Sequence, residues 1–145
     1  MFKLLSIDPG KCKCGLVLVD INKKTVDQAI VLNTEYLSTY VKTLISNENI
    51  SKVIVGNGTT SKENIAKLEF IKNDIITFEE KDTTVRAKKR YFELFPISGL
   101  KFLLPREVFI LNKNLDAISA LIILEDYCKT KFTLNQNIDF KTWLK

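Results

Sequence analysis

FKLLSIDPGKCKCGLVLVDINKKTVDQAIVL, residues 2–32, is the stretch that decides the fold. Residues 2–8 are mostly apolar and stop at the turn signal Asp8-Pro9-Gly10. A second run, residues 15–21, is rich in Val and Leu. Asn22-Lys23-Lys24 makes a polar turn, and residues 26–32 give a third run. Three consecutive strands with short connections read as an antiparallel meander.

Beyond it the period changes. Tyr36, Leu37, Tyr40, Val41, Leu44 and Ile45 recur at helical spacing. Residues 52–56 read as a short buried strand. Thr60 or Ser61 caps a helix with Glu63 in its first turn and Ile65, Leu68 and Ile71 as its apolar face. Residues 74–80 read as a strand. Asp82 or Thr83 caps the next helix, whose apolar positions include Val85, Ala87, Tyr91, Phe92 and Phe95. Phe92 and Phe95 read as core residues rather than base-stacking platforms. Pro96 ends this helix. Residues 97–113, with Gly99 and Pro105, read as a loop with a short helical turn. Residues 115–129 form a helix nearly all apolar through Leu124, hence buried, and residues 132–145 a tail that Trp143 docks back on the domain. The order β-β-β-α-β-α-β-α-α predicts one α/β domain over residues 1–145. Its mixed sheet joins the antiparallel meander to parallel strands, with helices on both faces. In such sheets ligands bind beyond the carboxyl ends of the parallel strands.

With 145 residues, 46% of them hydrophobic, the chain is long enough to bury the core of one domain. No run approaches the roughly 20 apolar residues that span a bilayer. The N-terminal apolar run breaks at Asp8-Pro9-Gly10 with no cleavage site after it, so no signal peptide is read and the expected location is cytoplasmic. Cys12, Cys14 and Cys128 have neither disulfide-framework nor zinc-site spacing and are expected to be reduced thiols. The chain has no histidine. That excludes Ser-His-Asp triads, Cys-His pairs, H-E-x-x-H zinc sites and histidine general bases together. Hydrolytic chemistry must then run on carboxylates, lysines, hydroxyls or metal, and carboxylate oxygens suit Mg2+ or Mn2+.

The net charge of +5 favours a polyanionic partner. Lys81, Arg86, Lys88, Lys89, Arg90, Lys101, Arg106 and Lys113 follow one another, opposed only by Asp82, Glu93 and Glu107. From charge alone a solvated helix face accounts for this run equally well.

Three groups of acids stand out. Asp8 ends the first strand beside a tight turn, where it reads either as a ligand-facing carboxylate or as an ordinary turn residue. Glu79 and Glu80 end the strand over residues 74–80, and only one of them can share the face of Asp8. Asp116 opens the apolar helix, where the helix dipole alone favours an acid. If both strands are central and the helix crosses their ends, the acids cluster. Crowded carboxylates repel unless a cation neutralises them, and two metals there could hydrolyse a phosphodiester without histidine.

Ser6-Ile7-Asp8-Pro9-Gly10, followed by residues 15–20, resembles the opening of the YqgF/RuvX family, in the RuvC-like branch of the ribonuclease H-like superfamily. Phe78-Glu79-Glu80-Lys81-Asp82-Thr83-Thr84-Val85-Arg86-Ala87 resembles that family's D-E-R-x-T-T-x-x-A stretch, and residues 115–127 its late D-x-x-A-A-x-x-I-L-Q-x-Y helix. Val55-Gly56-Asn57-Gly58-Thr59-Thr60 is similar to the G-N-G-T segment in the YqgF-like domain of Tex-type RNA-binding proteins. The resemblance covers nearly the whole chain, in order. It implies a ribonuclease H-like fold, Asp8, Glu80 and Asp116 as catalytic and metal-binding acids, and Mg2+ or Mn2+ as cofactor. It implies an endonuclease that matures the 5′ end of pre-16S ribosomal RNA. The alternatives are a nuclease resembling Holliday junction resolvases, acting on branched DNA, and a binding module without catalysis. Expected partners are RNA or branched DNA and no membrane, with the chain as monomer or homodimer. Lys13 stands where the family usually has arginine, and Glu79 and Lys81 where aspartate and arginine are usual. Ser119 occupies the place of a further aspartate in RuvC resolvases. Asn57, Thr59, Thr60 and Ser61, just ahead of a helix, read equally well as phosphate contacts or as turn and cap residues. Lys13, Lys81, Arg86, Lys88, Lys89 and Arg90 are read as contacts to the nucleic-acid backbone.

Overall fold

The computed structural model describes residues 2–79, 81–110 and 115–138. Strands β1 (Lys3–Asp8), β2 (Lys13–Asp20) and β3 (Thr25–Asn33) pair antiparallel in sequence, so the expected meander forms. Every residue of β2 from Cys14 to Asp20 is buried. Cover on both faces is why this strand reads as a continuous apolar run rather than an alternating one.

Helix α1 (Leu37–Asn47) leads to β4 (Ile50–Gly56), and α2 (Ser61–Ala66) to β5 (Ile75–Phe78). β4 lies parallel to β1, and β5 parallel to β4. Helices α3 (Thr83–Leu94) and α4 (Asp116–Cys128) follow, then a short β6 (Thr133–Leu134) beside β3. The sheet order is β5-β4-β1-β2-β3-β6.

The sheet separates two cores. On one face Leu5, Ile7, Leu16 and Leu18 meet Leu37, Val41 and Leu44 of α1. On the other, Leu4, Val17, Val19 and Ile54 meet α4, with Ala87 and Tyr91 of α3 packed alongside. Helix α4 is buried from Ala117 through Glu125, which explains its lack of a polar stripe. Full burial of side chains such as Ile118, Leu121 and Ile123 contributes about 1.5–3 kcal/mol each.

Four expectations need correction. The helix after Thr60 ends at Ala66 and gives way to a 3-10 turn over Glu69–Asp74, where Ile71 leaves helical geometry. Residues spaced by three suit a three-residue turn as well as an α-helix. Val85 is exposed, because Thr83, Ala87, Tyr91 and Leu94 form the inward side of α3. Residues 99–109 hold two 3-10 turns, Gly99–Leu103 and Arg106–Phe109, rather than one. The presumed tail begins inside the fold, since Phe132 is buried and β6 extends the sheet. Trp143 lies outside the described residues. Among the described residues no helix is long and apolar enough to cross a membrane.

Candidate functional site

The three parallel strands end together. Ile7 pairs with Val55 and Val55 with Thr77, so Asp8, Gly56 and Phe78 finish at one edge of the sheet. The Asn57 amide donates to the Phe78 carbonyl at 2.9 Å and ties the β4 and β5 ends.

At this edge Asp8 and Asp116 are both backbone neighbours of Gly15. Leu4 lies on the α4 side of β1, and alternation places Ser6 and Asp8 on that side too. Asp8 is the register partner of Gly15 on β2. The backbone of Asp116, first residue of α4, sits on Gly15, where a β-carbon would fall 2.0 Å from the Asp116 carbonyl oxygen. A glycine inside a strand often marks such a close backbone approach. The Ser6 hydroxyl, two residues before Asp8 on the same side, is buried with no partner among the described residues.

The turn that carries Asp8 is held from three directions. The Thr60 hydroxyl donates to the Pro9 carbonyl at 3.0 Å. The Gly10 carbonyl accepts from the Thr34 hydroxyl at 3.1 Å and from Asn64 Nδ2 at 3.3 Å. The Thr34 amide donates to the Cys12 carbonyl at 2.9 Å. Thr34 and Asn64 are buried. Thr60 therefore does not cap α2 with its side chain, as expected from sequence; its hydroxyl is spent on the Asp8 turn. Gly10 is also required, since a β-carbon there would lie 2.0 Å from the Lys13 carbonyl oxygen.

Of the expected acids, Asp8 and Asp116 both have their backbones beside Gly15, while Glu80 lies outside the described residues. Glu79 is exposed. Among the described residues no three acidic or cysteine side chains gather into a metal-holding group. Ser119 is buried, one turn beyond Asp116. Of the phosphate candidates, Asn57 and Thr59 are exposed at the end of β4, whereas Ser61 is buried.

The expected cations divide into two sets. Lys13, Lys81, Lys88 and Lys89 are exposed. Arg90 instead forms a two-pronged pair with Glu125 of α4, at 2.7 and 3.1 Å, and donates to the Phe132 carbonyl at 2.7 Å. Arg86 pairs with Asp126 through two contacts of 2.6 Å. The reading of these two arginines as backbone contacts did not foresee partners that balance their charge within the fold.

All three cysteines are free, with Cys12 exposed at the Asp8 turn and Cys14 buried. Burial raises the pKa of the Cys128 thiol, which makes it a poor nucleophile. Sequence reasoning missed Gly15, Thr34 and Asn64. A glycine inside a strand run and a polar residue on the apolar side of a helix were the available signals.

No family model matches the chain, and neither does any curated protein. Solved structures similar over nearly its full length include two of RuvC. RuvC of Thermus thermophilus, in complex with a Holliday junction substrate, has a TM-score of 0.50 and 11% identity, covering 89% of this chain and 96% of that one. A second Thermus thermophilus RuvC structure gives 0.50 and 12%, covering 88% and 95%. The likeness is one of fold: a mixed sheet with helices, similar to the ribonuclease H-like fold of RuvC.

Proposed function

We propose that this chain is a divalent-metal-dependent endonuclease that hydrolyses nucleic-acid phosphodiesters, with Asp8, Glu80 and Asp116 as its catalytic, metal-binding acids. The observation that supports the reading is the placement of Asp8 and Asp116, each beside Gly15, at the carboxyl edge of the sheet. Carboxylate oxygens from a strand end and a helix start are the hard donors that Mg2+ or Mn2+ prefers. When bound, such cations supply an activated water and charge stabilisation for the leaving oxygen.

The chain's own residues hold the geometry. Thr34, Thr60 and Asn64 fix the turn that aims Asp8. Gly15 lets α4 bring Asp116 against the sheet. Lys13, Lys81, Lys88 and Lys89, with Asn57 and Thr59, hold backbone phosphates, which makes binding weaken with salt.

The finer task that the resemblance favours is 5′-end processing of pre-16S ribosomal RNA, in the cytoplasm. A second reading, cutting of four-way DNA junctions, draws on the likeness to a RuvC bound to a Holliday junction. Symmetric junction cutting needs two active sites, so it calls for a homodimer rather than a monomer. The test is cleavage of labelled single-stranded RNA, pre-16S-like RNA and a four-way junction, each with Mg2+, Mn2+ or EDTA. Metal-dependent cutting abolished by Asp8→Asn, Glu80→Gln and Asp116→Asn is expected, and the preferred substrate separates the two tasks. Binding without cutting in either metal would overturn the nuclease reading in favour of a binding module.

A further inference from the structure

Residues 97–110 expose Leu100, Phe102, Leu103, Leu104 and Val108. Large exposed apolar surfaces mark interaction sites, and these side chains lie close together along the chain. Beside it lies a cavity of about 330 Å³ lined by Phe92, Pro96, Ile97, Phe102 and Arg106. The Arg106 guanidinium lies over the Phe92 ring, 5.5 Å from its centroid. Phe102 is 67% exposed. Phe92 is thus only half-buried and forms a wall of this cleft, where the sequence suggested a core position.

The surroundings are cationic. Lys88 and Lys89 precede Phe92 by four and three residues, so they share its side of α3. Arg86 and Arg90 are balanced by Asp126 and Glu125. Lys88, Lys89, Lys101 and Arg106 make no ion pair among the described residues.

We propose that this cleft receives an unpaired nucleobase. Phe102 and the Arg106–Phe92 stack supply flat walls, and Lys88 and Lys89 take the flanking phosphates. Aromatic and guanidinium planes stack on any base, whatever the sequence. A flat ring carried on a polyanion is the ligand that matches both the planes and the surplus of positive charge, whereas a purely apolar protein surface would leave the lysines unmatched. The base chemistry is common to RNA and DNA. The proposal rests on the reading that the chain binds nucleic acid, but not on catalysis.

The test is fluorescence anisotropy in EDTA, so that no strand is cut. The probes are a labelled single-stranded dodecamer, as RNA and as DNA, and an abasic strand of the same length. The wild type should bind both base-bearing strands more tightly than the abasic one. Phe102→Ala, at an exposed position, should weaken the base-bearing strands by about 5-fold to 100-fold and leave the abasic strand unchanged. Lys88→Gln with Lys89→Gln should weaken all three and flatten the salt dependence. Equal wild-type affinity for base-bearing and abasic strands would overturn the cleft while leaving nucleic-acid binding intact. So would a Phe102→Ala chain that binds like wild type; if its sedimentation also changes, the face is a contact between copies instead. Absence of binding to every strand would remove both the cleft and the broader reading.

Discussion

Gly15 and Asp116 touch so closely that only hydrogen fits between them: a β-carbon on Gly15 would lie 2.0 Å from the Asp116 carbonyl oxygen and 2.1 Å from its carbonyl carbon. Because Gly15 is also the register partner of Asp8, this contact sets how closely the backbones of the two acids approach. Gly15→Ala must push α4 off the sheet. The expected cost is about 1–3 kcal/mol of stability, together with loss of Mn2+ binding and cleavage. Asp116→Asn, which keeps the backbone contact, should lose metal affinity with a smaller fall in urea midpoint than Gly15→Ala. A Gly15→Ala chain as stable as wild type would show that the helix yields freely, and the spacing argument would fail.

The hydroxyl of Thr60 and the amide of Asn64 hold the two carbonyls that follow Asp8, those of Pro9 and Gly10. Thr60→Val keeps the side-chain shape but removes the donor, so about 1 kcal/mol should be lost. If the turn aims Asp8, the Mn2+ dissociation constant should rise as well, and Thr60→Ser should restore it. A loss of stability with unchanged metal affinity would reduce these bonds to ordinary loop anchors.

How much was legible follows from what each residue answers to. The meander was readable because strand runs and the Asn22-Lys23-Lys24 turn are local signals. Helix α4 was readable because an apolar run of that length has few other fates. Asp8 and Asp116 were visible as acids at element ends. The role of Gly15 was not, since it depends on a helix that begins a hundred residues later. Ile65, Leu68 and Ile71 misled because spacing by three does not distinguish an α-helix from a 3-10 turn. Arg90 misled because charge suggests the surface, while its partner Glu125 comes from another helix.

That partnership makes the fate of Arg90 testable. Its side chain is 11% exposed and that of Glu125 8%, and Glu125 Oε1 also accepts the Phe132 amide at 3.0 Å. Glu125→Leu leaves the largely buried guanidinium only the more exposed Glu93 carboxylate, at 3.1 Å, and the Phe132 carbonyl, so the expected loss lies at or below roughly 3 kcal/mol, short of that for a wholly unpaired buried charge. Arg90→Met with Glu125→Leu should lose less than the sum of the single changes, a coupling that a double-mutant cycle by urea denaturation reads directly. Additive losses would mean that the two side chains act independently. Arg90→Met alone should lower stability without changing the salt dependence of RNA binding, the reverse of the pattern expected for Lys88→Gln with Lys89→Gln.

Stability should also carry an acid limb with known contributors. The Lys23 amide, donating to Asp20 Oδ1 at 3.0 Å, holds the Asp20 carboxyl below its ordinary pKa against the opposing pull of burial. The Lys131 ammonium, 2.6 Å from Glu93, lowers Glu93 likewise. A carboxyl with a depressed folded-state pKa stabilises the fold above its unfolded value, near 4 for these groups. That contribution disappears as pH falls through the lower folded value. The urea midpoint should therefore hold between about pH 7 and pH 5 and drop below about pH 4. Asp20→Asn should lower the midpoint at pH 7 and make the acid drop shallower, because the proton-linked part has been removed. Adding Glu93→Gln should flatten it further. An Asp20→Asn chain with the wild-type midpoint at pH 7 and an unchanged acid drop would show that the Lys23 contact does not favour the charged carboxylate.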